Sequence, residues 1–264
     1  MNHCLLQAGP AAPTADQLKR AFRSLRSLTD ADAVKLANEA CGILMKNLSP
    51  DDAGVLQRAL QAEGVRTEVV EASQLPTLPE AKFVRRIEFQ APALMIYDQL
   101  GRAAPVPWDQ LALLAAGGVR HFGMSTTRKE QTVNTFDPIR GFRTKVITDV
   151  RHKIEDNARL VLDIFLTGGS MRFQIEAETF SFKYCFDRPD LNLAQKLGLL
   201  IQMLAENAPQ AVLNRGAAAM RAGPSGAMTY ASKAALFDES TWLWWTMTRA
   251  SREPGQTGRG SGMS

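Results

Sequence analysis

Residues 82–118 read KFVRRIEFQAPALMIYDQLGRAAPVPWDQLALLAAGG. FVRRIEF and ALMIYD are of strand length and rich in β-formers. GRAAPVP reads as a Gly/Pro turn, and VPWDQLALL as a third strand entered through Trp108. Trp108 is expected to seal the end of a sheet, and Gly117-Gly118 to permit a bend. This stretch sets the expectation of a sheet-rich region.

Downstream, residues 119–158 break the strand rhythm. HFGMSTTRKEQTVNTFDPIRGFR is polar and punctuated by Gly and Pro, with KVITDV the regular-looking part. An excursion of this length without dominant structure points to a functional or disordered segment. Alternation then returns: ARLVLDIFLT, a TGGS turn and MRFQIEA predict a β-hairpin with Leu160, Leu162, Ile164 and Leu166 on one face. TFSFKYCF reads as a further strand with Phe180, Phe182 and Tyr184 on one face. Asp190 or Asn192 caps the clearest helix, in which Leu193, Leu197, Leu200 and Leu204 recur at helical spacing. YASKAALFDESTWLWWTM is a final apolar cluster whose period, strand or helix, the pattern leaves open. SREPGQTGRGSGMS is expected to be disordered.

Upstream, Thr14 with Gln17 three positions on starts a helix over 14–27 with Leu18, Phe22 and Leu25 on one stripe. Residues 9–13 read as a flexible lead-in and His3 as part of a floppy start. Asp30 or Asp32 caps a second helix, and GILMKNL is strand-like. Ser49-Pro50-Asp51-Asp52 is a strong helix start, because a Ser cap, a first-turn Pro and two acids all suit the exposed amide donors. Gly64 ends that helix, VRTEVV alternates as a strand, and SQLPTLPE is a linker.

Composition bounds the function. The chain of 264 residues is 45% hydrophobic and 22% charged, ordinary for a globular protein. No apolar run approaches the roughly 18–20 residues of a membrane span, and the amino terminus lacks the pattern of a secretory signal. Cys4, Cys41 and Cys185 are widely spaced and odd in number, which argues against a disulfide framework and for a cytoplasmic location. The formal charge is +4, and segment 119–159 accounts for it with nine basic residues against five acidic. A mildly basic insertion in an otherwise neutral chain disfavours nucleic acid as the partner.

Two partial resemblances follow from these residues. Segment 34–70, through Gly42–Ser49, the Ser49-Pro50-Asp51-Asp52 start, the Leu56/Leu60 face and the Gly64–Val70 turn and strand, resembles the C-terminal domain of the ribosomal stalk protein and the related adaptor domain of the Clp protease system. Helix 50–62 lacks the lysine-rich contact surface of the stalk domain. Segment 82–207 looks like a bacterial pleckstrin-homology-like domain, through strands 82–97, the VPWDQLALL strand, hairpin 159–177, strand 179–185 and helix 193–207. Both resemblances imply binding or assembly scaffolds.

Chemistry has few footholds. His3, His121 and His152 form neither HxxxH nor HExxH. GGVRHFG and GPSGA match no phosphate or dinucleotide loop. Glu176 and Glu178 share a strand face, where solvation is the simpler reading. The expected fold is α+β: a tail and docking helix (1–28), a small α/β adaptor-like domain (29–75), a bent antiparallel β-sheet domain closed by a C-terminal helix (76–250), and a disordered tail (251–264). The expected function is non-enzymatic protein binding or self-association, with no cofactor, metal or membrane span. Trp242, Trp244, Trp245, Arg140, Arg143 and Lys145 are the candidate partner-binding residues. The alternatives are an enzyme using Asp98, Asp109, His121 and Glu176 between the two regions, or nucleic-acid binding through the basic excursion.

Overall fold

The computed structural model describes residues 2–9, 12–39, 41–98, 100–137, 141–223 and 228–252. The first sheet is antiparallel, with β1 (His3–Gln7) between β2 (Ile43–Leu48) and β3 (Thr67–Glu71). Three helices cover one of its faces: α1 (Ala15–Phe22), α2 (Asp30–Glu39) and α3 (Pro50–Ala62). The starts of α1 and α3 are the predicted ones. Thr14 and Gln17 form a reciprocal capping box, and the Ser49 hydroxyl accepts from Asp52 N. The cap of α2 is Thr29 and not the expected Asp30 or Asp32: the Thr29 hydroxyl accepts from Asp32 N while the Asp32 carboxylate accepts from Thr29. Leu5, Leu18, Phe22, Leu44, Leu56 and Leu60 form the core on this side.

Strand β1 corrects the expectation of a floppy start. Its alternation sends Leu5 to the helices and Cys4 and Leu6 to the opposite face, all fully or nearly buried. A five-residue strand with three apolar positions, whose partners lie some forty and sixty positions away, leaves no local signature. Residues 3–7 thus share one sheet with 43–71.

A second sheet is an antiparallel meander of β5 (Arg86–Phe89), β6 (Ala93–Tyr97) and β7 (Ala103–Pro107). The stretch read as a turn contains a whole strand. Pro105 and Pro107 are tolerated because β7 lies at the sheet edge and pairs with β6 alone. Trp108 occupies a 3-10 turn, stacks on Phe89 at 5.6 Å and donates to Gln90 O at 3.2 Å.

The third sheet has the order β11-β8-β9-β10-β4, with β12 also on β8. It is built from β4 (Ala81–Phe83), β8 (Leu111–Asp137), β9 (Gly141–Leu166), β10 (Arg172–Glu176), β11 (Val212–Leu213) and β12 (Thr229–Tyr230). The predicted hairpin is β9 and β10. Leu162, Ile164 and Leu166 enter one core while Val161 and Phe165 enter the other. Two expectations are corrected. The sheet is mixed, because β4, β11 and β12 join in parallel, and no sheet closes on itself. TFSFKYCF is no strand. Its backbone bonds run to local carbonyls and to Arg85, and Phe180 and Phe182 pack edge to face at 4.9 Å under the sheet. The period-two aromatic signal therefore arose from burial without a ladder.

One face of this sheet is covered by the meander, by α4 (Leu193–Asn207) and by α5 (Arg215–Ala222). Asn192 and Gln195 form the capping box of α4, and Leu197, Leu200, Ile201 and Leu204 are its buried stripe. Leu193, which shares the spacing, is left exposed at the helix start. The other face is covered by α6 (Lys233–Arg252), so the open period of the Trp-rich segment resolves as a helix. Helix α6 lies between two sheets. Trp244 packs on Phe165 with ring centroids 6.0 Å apart. Trp242 and Trp245 pack against Cys4, Leu6, Ile43 and Val70 of the first sheet, and Trp242 Nε1 donates to Gln7 O at 3.0 Å. Gly42 is required where the Trp242 ring lies, since a Cβ there would overlap it. The helix runs two residues past the boundary expected at 250, and residues 253–264 of the expected disordered tail lie outside the described residues.

The excursion at 119–158 is the largest departure. Strands β8 and β9 continue as an antiparallel ladder from Val119↔Arg159 to Asp137↔Gly141. Strands β10, β11 and β12 pair with the inner parts of β8 and β9 only, and among the described residues no third strand joins the ladder beyond Val119 and Arg159. At the usual rise of about 3.4 Å per residue this two-stranded arm spans roughly 60 Å.

Candidate functional site

The six predicted partner-binding residues fall in two places. Trp242, Trp244 and Trp245 are on α6 and pack within the chain. Arg143 and Lys145 are on β9 in the arm, opposite Thr135 and Val133, and Arg140 lies outside the described residues.

The arm has a pattern that register makes visible. Directly opposed residues of an antiparallel pair share a face. Phe122, Met124, Phe136, Phe142, Val146, Val150 and Ile154 fall at register positions of one parity. That parity is continuous with Leu162 and Ile164 of the sheet core. The other parity carries Lys129, Arg143, Lys145, Arg151 and Lys153, with Val133 and Ile147 as its aliphatics.

The residues considered for catalysis are held apart. The Asp98 carboxylate accepts from Arg102 N at 2.8 Å, from Arg102 Nε at 2.6 Å and from Leu100 N at 2.9 Å, which closes the β6–β7 turn. Those bonds, the Arg102 backbone first, hold its carboxyl below the usual range. Asp109 is in the 3-10 turn before β8, His121 is on the arm, and Glu176 ends β10. Glu178 accepts from Leu160 N. Burial pushes the Cys41 thiol up to about 11 and the Cys185 thiol up to about 12, and raises Cys4 as well. Thiols so placed stay protonated at neutral pH and are poor nucleophiles. Among the described residues no group of three or more His, Cys, Asp and Glu is placed to hold a metal ion.

Two buried polar clusters went unread in the sequence. In the first, Asn214 caps α5 through Ala217 N at 2.8 Å. The same side chain bonds both backbone groups of Ala116 and donates to the Tyr230 hydroxyl at 2.9 Å. Tyr230 donates to Glu239 at 2.6 Å, and Glu239 also accepts from Arg215 N at 2.9 Å. Burial raises the tyrosine hydroxyl far above its ordinary value, so it remains a donor. This cluster ties β8, α5, β12 and α6 together, a structural task.

In the second cluster, Asp163 is fully buried on β9 and accepts from Gln174 Nε2 at 2.8 Å. Arg172 Nε lies 3.8 Å from Asp163 Oδ1, an ion pair without a direct hydrogen bond; Arg172 Nε and Asp163 Oδ2 are both buried without a protein partner. Desolvation pushes the Asp163 carboxyl up to about 6 against the opposing pull of Arg172, Gln174 and Lys233. The Arg172 guanidinium also lies 4.6 Å from the Phe237 ring centroid. The available signal was a lone acid inside LVLDIFL, on the same face as Val161 and Phe165.

Beside this cluster, at the root of the arm, a cavity of about 530 Å³ opens between β8–β10 and the start of α6. No described helix is long and apolar enough to cross a membrane. No protein-family model matches the chain, and neither a curated protein nor a solved structure matches it.

Proposed function

We propose that this protein is a non-enzymatic assembly component that self-associates through its β-arm. The observation that carries the reading is the ladder 120–137/141–158, which lacks a third strand among the described residues. A two-stranded ribbon is marginal in water by itself, and it presents two open edges that accept another strand. The apolar parity of the ladder supplies the second requirement of an interface, a face to bury. A second copy of the chain offers the matching edge and the matching face, as closed symmetric association requires. The resemblances to adaptor and pleckstrin-homology-like domains point the same way, since both present binding surfaces. Three free cysteines suit action in the cytoplasm.

The test is removal of residues 121–157, with Arg120 joined to Ala158 through an Asn-Gly turn, the register there already being Arg120↔Ala158. Analytical ultracentrifugation should show the whole chain as an oligomer and the shortened chain as a folded monomer. A whole chain that stays monomeric over its soluble range would overturn the reading. So would a shortened chain that associates as before.

A further inference from the structure

The cavity at the arm root lies outside the ladder that carries the proposed association, and its lining is chemically biased. Arg159 enters it from the first rung of the arm, on the parity of Val119 and Val161, and Lys233 and Ser232 from the start of α6; Arg120, of the opposite parity, borders it through its place on β8. Glu176 is the single acid in the lining. Arg120, Arg159 and Lys233 make no ion pair among the described residues. Lys233 is shared electrostatically with Asp163, which sits behind the lining residue Gln174. The free positive charge is therefore carried mainly by Arg159.

The helix adds to the bias. Ser232 Oγ accepts from Ala235 N at 3.2 Å, so the first turn of the twenty-residue α6 meets the cavity beside Lys233, and its partial positive charge favours an anion there. Beneath the polar rim the wall is apolar, formed by Val119, Val161 and Leu236. The volume falls within the range of small-molecule sites, roughly 300–1,000 Å³. A rim of fixed cations over an aliphatic floor selects for a ligand with one negative end and one apolar end.

We propose that this cavity binds a small amphiphilic anion, a carboxylate or phosphate head on a short aliphatic chain. The head lies between Arg159 and the start of α6, and the chain lies on Val119, Val161 and Leu236. Bound so, the ligand ties the arm root to the helix that joins the sheets.

Isothermal titration of the full chain with octanoate, octyl phosphate and inorganic phosphate tests this. One of the two octyl probes should bind saturably at one site per chain, more tightly than inorganic phosphate, and which one binds identifies the head. Arg159→Gln, at an exposed position, should weaken that binding about tenfold with the thermal midpoint of the free protein unchanged, whereas Arg120→Gln, of the opposite parity, should weaken it less. Failure of both octyl probes to bind saturably overturns the proposal. Undiminished binding in Arg159→Gln does so too, and inorganic phosphate binding as tightly as octyl phosphate would refute the apolar part.

Discussion

Strands β8 and β9 each pass through two environments, and their composition changes at the border. Inside the sheet they read LALLAAGGV and RLVLDIFL, nearly continuous apolar runs, because one face meets the meander, α4 and α5 while the other meets α6. Beyond Val119 and Arg159 the apolar runs break up: the Phe residues and most aliphatics keep to one parity, which also carries Arg128 and several threonines, while Lys129, Arg143, Lys145, Arg151 and Lys153 keep to the other. Two-sided burial demands the first pattern. A ribbon with at most one covered face permits the second. The hydrogen-bond ladder is continuous across the border, so what differs is the cover, and stability should divide at the same place.

Proline substitution on either side of the border gives the sharpest contrast. Ala116 is fully buried, its N–H is bonded to Asn214 Oδ1 at 2.9 Å, and its carbonyl lies so close to Gly216 that a Cβ at that glycine would overlap it. Ala116→Pro removes the donor, leaves Asn214 Oδ1 with Ala217 N alone and adds a ring where there is no room. It should abolish folding or cost more than about 3 kcal/mol, read by far-ultraviolet circular dichroism and urea denaturation. A cooperative transition near that of the parent would contradict the two-sided cover described for β8.

Between the extremes stands the acid of LVLDIFL. An ordinary aspartate titrates near 3.9, whereas burial holds Asp163 at about 6. The folded state therefore binds the proton more tightly than the unfolded chain. Stability should fall as pH rises from about 4 to about 6, by on the order of 2–3 kcal/mol, and level off above that. In Asp163→Asn this part of the slope should vanish. Urea midpoints of both proteins over that range decide it, and identical slopes would mean Asp163 is not the group responsible.

The smallest effect belongs to the arm. Thr132→Pro interrupts the ladder opposite Val146, yet the unfolding free energy of the body should move by less than about 0.5 kcal/mol. A loss comparable with that of Ala116→Pro would show that arm and body unfold as one unit and would erase the comparison.

The elements legible in the sequence were those whose stabilising partners are close in the chain. Thr14–Gln17, Ser49–Asp52 and Asn192–Gln195 each close a cap within three residues, and the β9–β10 hairpin turns within a few more. Strand β1 was illegible because its partners are distant. The arm was illegible because Thr126, Arg128, Glu130 and Thr132 interrupt its apolar parity while Lys and Arg recur on the other, which hides the alternation. TFSFKYCF misled in the opposite sense, its aromatics following a packing period without a strand. Of the candidate site, the basic residues 143 and 145 were noticed, but the cavity at the arm root joins positions 120, 159 and 233, which only the fold brings together. The Trp triplet drew attention as an interface, and it is one between two sheets of the same chain.

That helix has a consequence for the order in which the molecule can be completed. A ribosome delivers the chain from its amino end, so all three sheets emerge before Lys233. Until α6 follows, Cys4, Leu6, Ile43 and Val70 on one sheet and Leu113, Phe165 and Val161 on another lack the helix that covers them. Trp242 then binds the carbonyl of Gln7, a residue made long before it. A nascent chain stalled short of α6 carries two uncovered apolar surfaces at once, and emergence of that helix covers both.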